Sequence, residues 1–389
     1  MADSNLAAIL TTAVAEEIEG AARLRRELHA DADGPGAEYG TAARVAAALG
    51  ASDAPVVAGT GRLCRIGPAT GPCVAVRAEL DALPVTEQTG VPWASHTGFM
   101  HACGHDVHLA ALTAVGRAIR GVAARTALPA ALLAALQPRE EVIPSGARDI
   151  VDSEIFKDHE PRAVVGVHLQ HELPAGTAGL AAGTVNASHD DFEITVAGVG
   201  GHAAYPHSSA DPVLALCQAV VTLQQVVSRP TNPLHSAVVS VTTLQAGHAA
   251  NVIPETAAAR GTVRTLHEDD RAAMHAMVED IVEHTCRAYG CQGVVRLSQG
   301  EPVLVNNEAM TAACWPLLRE AGFAVDTSFR SCGSDDFSFY GLRAPTLMIF
   351  IGAGSEVSLH HPRFLPGDEA IGRVAAAMLA GYLSALDLL

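Results

Sequence analysis

Leu128-Pro129-Ala130-Ala131-Leu132-Leu133-Ala134-Ala135-Leu136-Gln137-Pro138-Arg139-Glu140-Glu141 admits two readings, and the choice between them decides the fold. Its alanines and leucines favour helix. Its short length between prolines fits a buried strand instead, and strand is the reading adopted. Working outward, residues 72–79 read as a second buried strand ending in the acidic pair Glu79 and Asp81, and residues 164–169 and 346–352 as two more. Helical periodicity covers 6–29, 39–49 and 109–125. Strands alternating with helices predict an α/β fold whose sheet is mostly parallel, with helices on both faces.

From Asp191 the rhythm changes. Strand 191–196, helix 210–227, strands 237–244 and 257–264, helix 268–289 and strand 292–297 follow in that order. This β-α-β-β-α-β sequence is the ferredoxin-like, split βαβ arrangement, which stands as a compact domain. The expected organisation is therefore a catalytic domain in two parts, residues 1–187 and 301–389, interrupted by a small domain at 188–300.

With 389 residues and 49% hydrophobic composition the chain can bury a large core. Its formal charge of −17 argues against nucleic acid or an anionic membrane as partner. Residues 1–17 carry acidic groups and no basic segment leading an apolar core, so they do not read as a secretory signal. The longest apolar run, near 127–136, is about half of a membrane span. Eight cysteines without framework spacing suit reduced thiols and a cytoplasmic location. Cys217 and Cys314, inside helical patterns, are expected to be small buried apolar residues.

Met100-His101-Ala102-Cys103-Gly104-His105-Asp106-Val107-His108 packs a thiol, three imidazoles and a carboxylate into nine residues. Thiolate and neutral imidazole are good ligands for zinc or a similar divalent ion, and Asp106 is placed to orient an imidazole behind them. Glu140 and Glu141 follow a strand, where parallel sheets build their crevices. Two adjacent carboxylates there can divide labour, one ligating metal and one moving a proton. His168 ends another strand, and His360 and His361, in an exposed loop, cannot be told apart by chemistry alone. Gly200-Gly201-His202-Ala203-Ala204 suits close backbone approach to a ligand. Asn251 and Arg264 supply an amide and a guanidinium that suit a substrate carboxylate. Gly-x-Ser-x-Gly, His-Glu-x-x-His and Walker signatures are absent, and the single lysine, Lys157, lies in an acidic stretch unsuited to Schiff-base chemistry.

In order along the chain, Arg77 to Pro84, Met100 to His108, Gln137 to Glu141, His168, Gly200 to Ala204, Asn251 to Pro254, Gly333 to Phe337 and Leu359 to Phe364 resemble the amidohydrolase branch of the aminoacylase/carboxypeptidase metallopeptidase family. This is the branch of hippurate hydrolases, auxin-conjugate hydrolases and N-acyl-amino-acid deacetylases. The resemblance implies a dinuclear catalytic domain with an inserted lid that also forms a homodimer. It implies Cys103, His105, Glu141, His168 and His360 as metal ligands, Glu140 as general base and Asp81 as a supporting carboxylate. It further implies His202 as an oxyanion-stabilising group from the partner subunit, with Asn251 and Arg264 as substrate contacts. The chain departs from the family pattern at His29-Ala30-Asp31-Ala32-Asp33, at Arg139 where alanine is usual, after Glu141 where glycine is usual, and at Asp335 where glutamate is usual.

The expected activity is hydrolysis of an N-acyl-L-amino acid, a small-molecule substrate, by two divalent ions, zinc foremost with manganese or cobalt as alternatives. A dipeptidase or carboxypeptidase would use the same machinery. A catalytically silent metal-binding sensor is the alternative of a different class, and the presence of Glu140 argues against it, because a sensor needs no proton shuttle.

Overall fold

The computed structural model describes residues 4–389. They form two compact units, one running to Gly183 and completed by Val305–Phe329 and Asp336–Leu389, the other comprising Thr184–Leu304 and Arg330–Asp335.

The first unit is built on an eight-stranded sheet in the order Val56–Val57, Gly61–Ile66, Ala131–Gln137, Cys73–Glu79, Val164–Gln170, Thr346–Gly352, Thr177–Gly179, Ala324–Asp326. The central four strands run parallel. Gly61–Ile66 on one side and Thr177–Gly179 on the other are antiparallel to their inner neighbours. Every residue of the four central strands is buried. That burial explains the Ala/Leu-rich run: a strand enclosed on both faces has no reason to alternate, so its composition resembles a core helix. Helices Ser4–Ala30, His105–Ala123 and Glu369–Ala385 pack on one another, and the last two also on the central strands. The apolar window Glu369–Leu388 is long enough to cross a bilayer but is 67% buried inside this unit.

Helix His105–Ala123 begins four residues before the expected position, because Gly104, in the left-handed region at φ 86°, lets the chain turn straight from the Cys103 loop into the helix. A Cβ at Gly104 would lie 2.7 Å from Leu169 Cδ1. A buried ion network anchors the helix start. Arg25 Nε donates to Asp106 Oδ2 at 2.9 Å and Arg25 Nη1 reaches Asp368 Oδ1 at 3.1 Å. His29 faces Asp106 Oδ2 at 3.0 Å and Glu87 Oε2 at 3.1 Å, so both ring nitrogens donate. Asp106 therefore does orient an imidazole, but that of His29 rather than of its own motif. Burial works against charge on His29, yet the hydrogen bond and charge of Asp106, with Glu87, raise its pKa above 6.5.

The second unit is an antiparallel sheet ordered Ala237–Ala246, Thr256–Thr265, Asp190–Ala197, Gln292–Gln299. Helices Pro212–Leu223 and Glu268–Ala288 pack on it and on each other, which reproduces the expected β-α-β-β-α-β order. The helix expected over 210–227 is two pieces, Pro212–Leu223 and Gln225–Ser228. Asp211 sets its start, its carboxylate accepting from the N–H groups of Val213 and Leu214. Burial along Asp190–Ala197 alternates, one face on the helices and one outward. Cys314 is buried as expected, but Cys217 is exposed, on the outer side of its helix.

Asp106→Ala removes the carboxylate that the Arg25 and His29 cations share, leaving them Asp368 and Glu87, and is expected to lower the unfolding free energy by about 3 kcal/mol in urea titration. Because the pKa of His29 is raised on folding, its contribution is complete below its unfolded value of about 6.5 and lost as pH rises through the folded value. Wild type should thus lose more stability than His29→Gln as pH rises above about 6.5; a pH-independent gap between them contradicts this assignment.

Candidate metal centre

The carboxyl ends of the parallel strands carry the site, as the crevice rule for such sheets requires. Cys73–Glu79 leads to Asp81, Ala131–Gln137 to Glu140 and Glu141, and Val164–Gln170 holds His168 near its end. The turn into helix His105–Ala123 brings Cys103 and His105. A loop brings His360, whose N–H donates to the Ala102 carbonyl at 2.8 Å and whose backbone is left-handed at φ 65°.

Hydrogen bonds decide which nitrogen each histidine can offer. His105 Nδ1 lies 2.8 Å from the Asp81 main-chain carbonyl, so Nδ1 carries the proton and Nε2 keeps its lone pair. That Nε2 is buried with no hydrogen-bond partner, 3.7 Å from Glu140 Oε2 and 3.9 Å from Glu141 Oε1. His168 Nδ1 donates to the Leu169 carbonyl at 2.7 Å, which turns Nε2 to within 3.5 Å of Cys103 Sγ. His360 Nε2 is 3.5 Å from Glu141 Oε1. Donor atoms lie within 4.8 Å of one another in the sets Cys103/His105/His168, Cys103/Glu141/His360 and His105/Glu140/Glu141. Cys103, His105 and Glu141 each belong to two of these sets, so the sets overlap in one cluster that would hold metal through shared residues.

Electrostatics point the same way. Burial, then Glu141, Glu140 and Glu79, hold the Cys103 thiol well above its ordinary pKa, while burial holds His105 well below its own and lowers His360. Two aligned imidazole lone pairs, a thiol that needs a cation to ionise and two carboxylates at the rim form a donor set that fits divalent ions of the zinc type.

Asp81 supports the arrangement from behind, its carboxylate accepting from the backbone N–H groups of Glu140 at 3.1 Å and Glu141 at 3.0 Å. Burial pushes its carboxyl up to about 6, against the lowering effect of those bonds. The loop is closed at its base by the Gly146 N–H on the Arg139 carbonyl at 3.1 Å, and a Cβ on Gly146 would meet the Pro138 carbonyl at 1.8 Å. Arg139, the departure that sets a cation beside the glutamate pair in sequence, is already engaged. It donates to the carbonyls of Pro144 at 2.8 Å and Ala58 at 3.3 Å and pairs with Asp149.

His108, the third imidazole of the motif, is not available as a ligand. Its Nε2 accepts the Leu169 N–H at 3.1 Å and its Nδ1 lies 2.8 Å from Glu79 Oε2. Sequence reading missed this pair, although Arg77 and Glu79 inside a wholly buried strand demanded partners. His101 is also buried, and burial lowers its pKa to about 4.

The second unit joins His202 to Asn251: strand Gly201–His202 pairs with Val252–Ile253, and the Ala203 N–H donates to the Asn251 carbonyl at 3.0 Å. His202 Nδ1 accepts the Ala204 N–H at 3.1 Å, and both His202 and Asn251 are exposed. Arg264 lies on the sheet strand Thr256–Thr265, half-buried, with Nη1 donating to the Cys332 carbonyl at 3.3 Å.

Residues 75–384 match the profile of peptidase family M20/M25/M40. The chain is 36% identical over 314 residues to N-acetylcysteine deacetylase of Bacillus subtilis strain 168, covering 80% of this chain and 81% of that protein. It is 36% identical over 321 residues to N-acetyldiaminopimelate deacetylase of the same strain, covering 82% and 84%. The crystal structure of a dinuclear metal binding peptidase of the M20 family from Bacillus subtilis superposes with a TM-score of 0.83 at 29% identity, covering 96% of this chain and 99% of that one.

If Cys103 is a ligand, Cys103→Ser should lose metal during dialysis against a chelator while Cys217→Ser retains it, and metal uptake by the wild type should release protons. Equal metal content in both variants by elemental analysis contradicts the assignment.

Proposed function

Because the chain belongs to peptidase family M20/M25/M40, we propose that it is a metal-dependent amidohydrolase that cleaves N-acyl-L-amino acids into a carboxylate and a free amino acid. The observation that carries this reading is the pair of glutamates at the donor cluster: both face His105 Nε2, Glu140 at 3.7 Å and Glu141 at 3.9 Å, and of the two Glu141 also joins Cys103 and His360.

Two divalent ions, held by Cys103, His105, Glu141, His168 and His360, would polarise the scissile carbonyl and lower the pKa of water. Zinc suits the sulfur and nitrogen donors best, with manganese and cobalt as alternatives. Glu140 takes the proton of the attacking water and delivers it to the departing amine. Asp81 keeps Glu140 and Glu141 oriented through their backbone N–H groups. His202 donates to the developing oxyanion, and Asn251 and Arg264 receive the substrate carboxylate. The deacetylases named above act, by their names, on N-acetylated amino acids, which supports this substrate class.

In this reading the protein is a homodimer joined through the second unit, with His202 serving its partner's site. The outer strand Ala237–Ala246 ends its sheet, and Leu214 and Val221 on the neighbouring helix are exposed at 54% and 66%, an edge and an apolar face suited to a second copy. All eight cysteines are free thiols, which supports a reducing, cytoplasmic setting.

The test is hydrolysis of N-acetyl, N-benzoyl and dipeptide substrates after zinc, manganese or cobalt is restored to stripped protein. Turnover of acyl amino acids supports the reading, turnover of dipeptides alone replaces it with a peptidase, and no turnover with any metal overturns it. Glu140→Gln should keep its metal and lose about 10²–10⁴-fold in rate, whereas Glu141→Gln should lose metal as well. Glu140→Gln and His202→Ala homodimers should each be nearly inactive, and mixed dimers should regain activity at the one site with both groups intact. Mixed dimers as inactive as their parents would exclude action across the interface.

A further inference from the structure

Behind the metal-facing side chains runs a continuous buried hydrogen-bond chain in the first unit. Asp336 accepts from the Ala147 N–H at 3.2 Å, from Gln137 Nε2 at 2.8 Å and from Arg77 Nη2 at 2.8 Å. Arg77 Nε donates to Gln137 Oε1 at 3.0 Å, and Nη1 pairs with Glu79. Glu79 accepts from His108 Nδ1 at 2.8 Å, and His108 Nε2 accepts the Leu169 N–H at 3.1 Å. The Leu169 carbonyl in turn accepts His168 Nδ1 at 2.7 Å.

Each link fixes the next. A backbone N–H can only donate, so His108 Nε2 must be the bare nitrogen and Nδ1 the protonated one. Glu79 must then accept, and the Arg77 guanidinium beside it, working against burial, holds its carboxyl well below the ordinary range. Leu169 is thereby clasped on both sides, its N–H by His108 and its carbonyl by His168. The rings of His108 and His168 pack edge to face with centroids 4.9 Å apart. At the other end, Gln137 and Ala147 flank the loop that carries Glu140 and Glu141, so one carboxylate, Asp336, ties down both its ends.

We propose that His108 is a positioning residue: by holding the Leu169 N–H it fixes the stretch of backbone that carries His168 and the Leu169 carbonyl, and with it the ring orientation and tautomer with which His168 presents Nε2 to the metal centre. The inference rests on His168 being a ligand. Glu79, Arg77 and Asp336 hold His108 in register, and through Gln137 and Ala147 the same chain is continuous with the base-bearing loop. Groups behind a metal ligand characteristically affect affinity by about 10–100-fold when removed.

Two near-isosteric substitutions separate the two bonds of His108. Glutamine places its amide where Nε2 lies and can accept the Leu169 N–H. Asparagine places its amide where Nδ1 lies and can serve only Glu79. Cobalt(II) affinity, measured by chelator competition and by the visible absorption of the thiolate-bound ion, should follow the Leu169 bond. His108→Gln should stay within a few-fold of wild type, and His108→Asn should weaken one of the two ions about 10–100-fold. Nitrogen-15 spectra of the metal-free protein should show His168 with a protonated Nδ1 in wild type and His108→Gln, and mixed tautomers in His108→Asn.

A merely structural role, satisfying the buried Glu79, gives the opposite ranking and overturns the proposal. Loss of an ion in His108→Gln as complete as in His168→Ala would make His108 itself a ligand and overturns it too. If His168→Ala binds both ions as wild type does, the ligand reading of His168 has failed instead, a result the same titration reports separately.

Discussion

Asp81 is the residue on which the metal centre depends, because it holds both arms of the centre at once. Its main-chain carbonyl takes the Nδ1 proton of His105 and so aims Nε2 into the site, while its carboxylate takes the N–H groups of Glu140 and Glu141. Asp81 does this from just beyond the end of a strand whose parallel neighbour leads into the Glu140 loop. That places the constraint one level down, in the pairing of Cys73–Glu79 with Ala131–Gln137. Glu79 opposite Gln137 closes that ladder, and the chain then diverges into the two loops that Asp81 bridges.

The site is dearer to assemble than its donor atoms suggest. Carboxylates and a thiol approach one another in a buried setting where like charges repel and ionisation is penalised. The protein answers with fixed cations further back: Arg77 against Glu79 and Asp336, and Arg25 with protonated His29 against Asp106. None of these stands among the ligands. They hold the scaffold rigid while leaving the charge at the front to be balanced by bound cations, so metal binding and folding stability should be linked.

The fold was legible where local pattern and global topology agreed. The β-α-β-β-α-β order of the second unit followed from the spacing of its elements, three central strands from their short apolar runs, and the fourth, the Ala/Leu-rich one, from its length between prolines. The short strands Val56–Val57, Gly61–Ile66, Thr177–Gly179 and Ala324–Asp326 were not legible, since two to six residues carry too little periodicity. The early start of helix His105–Ala123 was hidden because it depends on a left-handed Gly104 and not on amphipathic spacing. Among candidate site residues, the density of donors in nine residues singled out the Cys103 cluster, and the glutamate pair stood out by its place after a strand taken together with that cluster. Chemistry alone did not tell His360 from His361, and only the resemblance chose between them; in the structure His360 is marked by its backbone tether to the Ala102 carbonyl. The roles of Glu79, His108 and Asp336 are long-range, with partners as far apart in sequence as Arg77 and Asp336, and no local motif encodes them.

The most direct measurement is diffraction from crystals grown with zinc, recorded on either side of the zinc absorption edge. Two anomalous peaks per chain are expected inside the cage of Cys103, His105, Glu141, His168 and His360, with none between Glu79 and His108. A single peak outside that cage, or one bound by Glu79 and His108, would contradict the account.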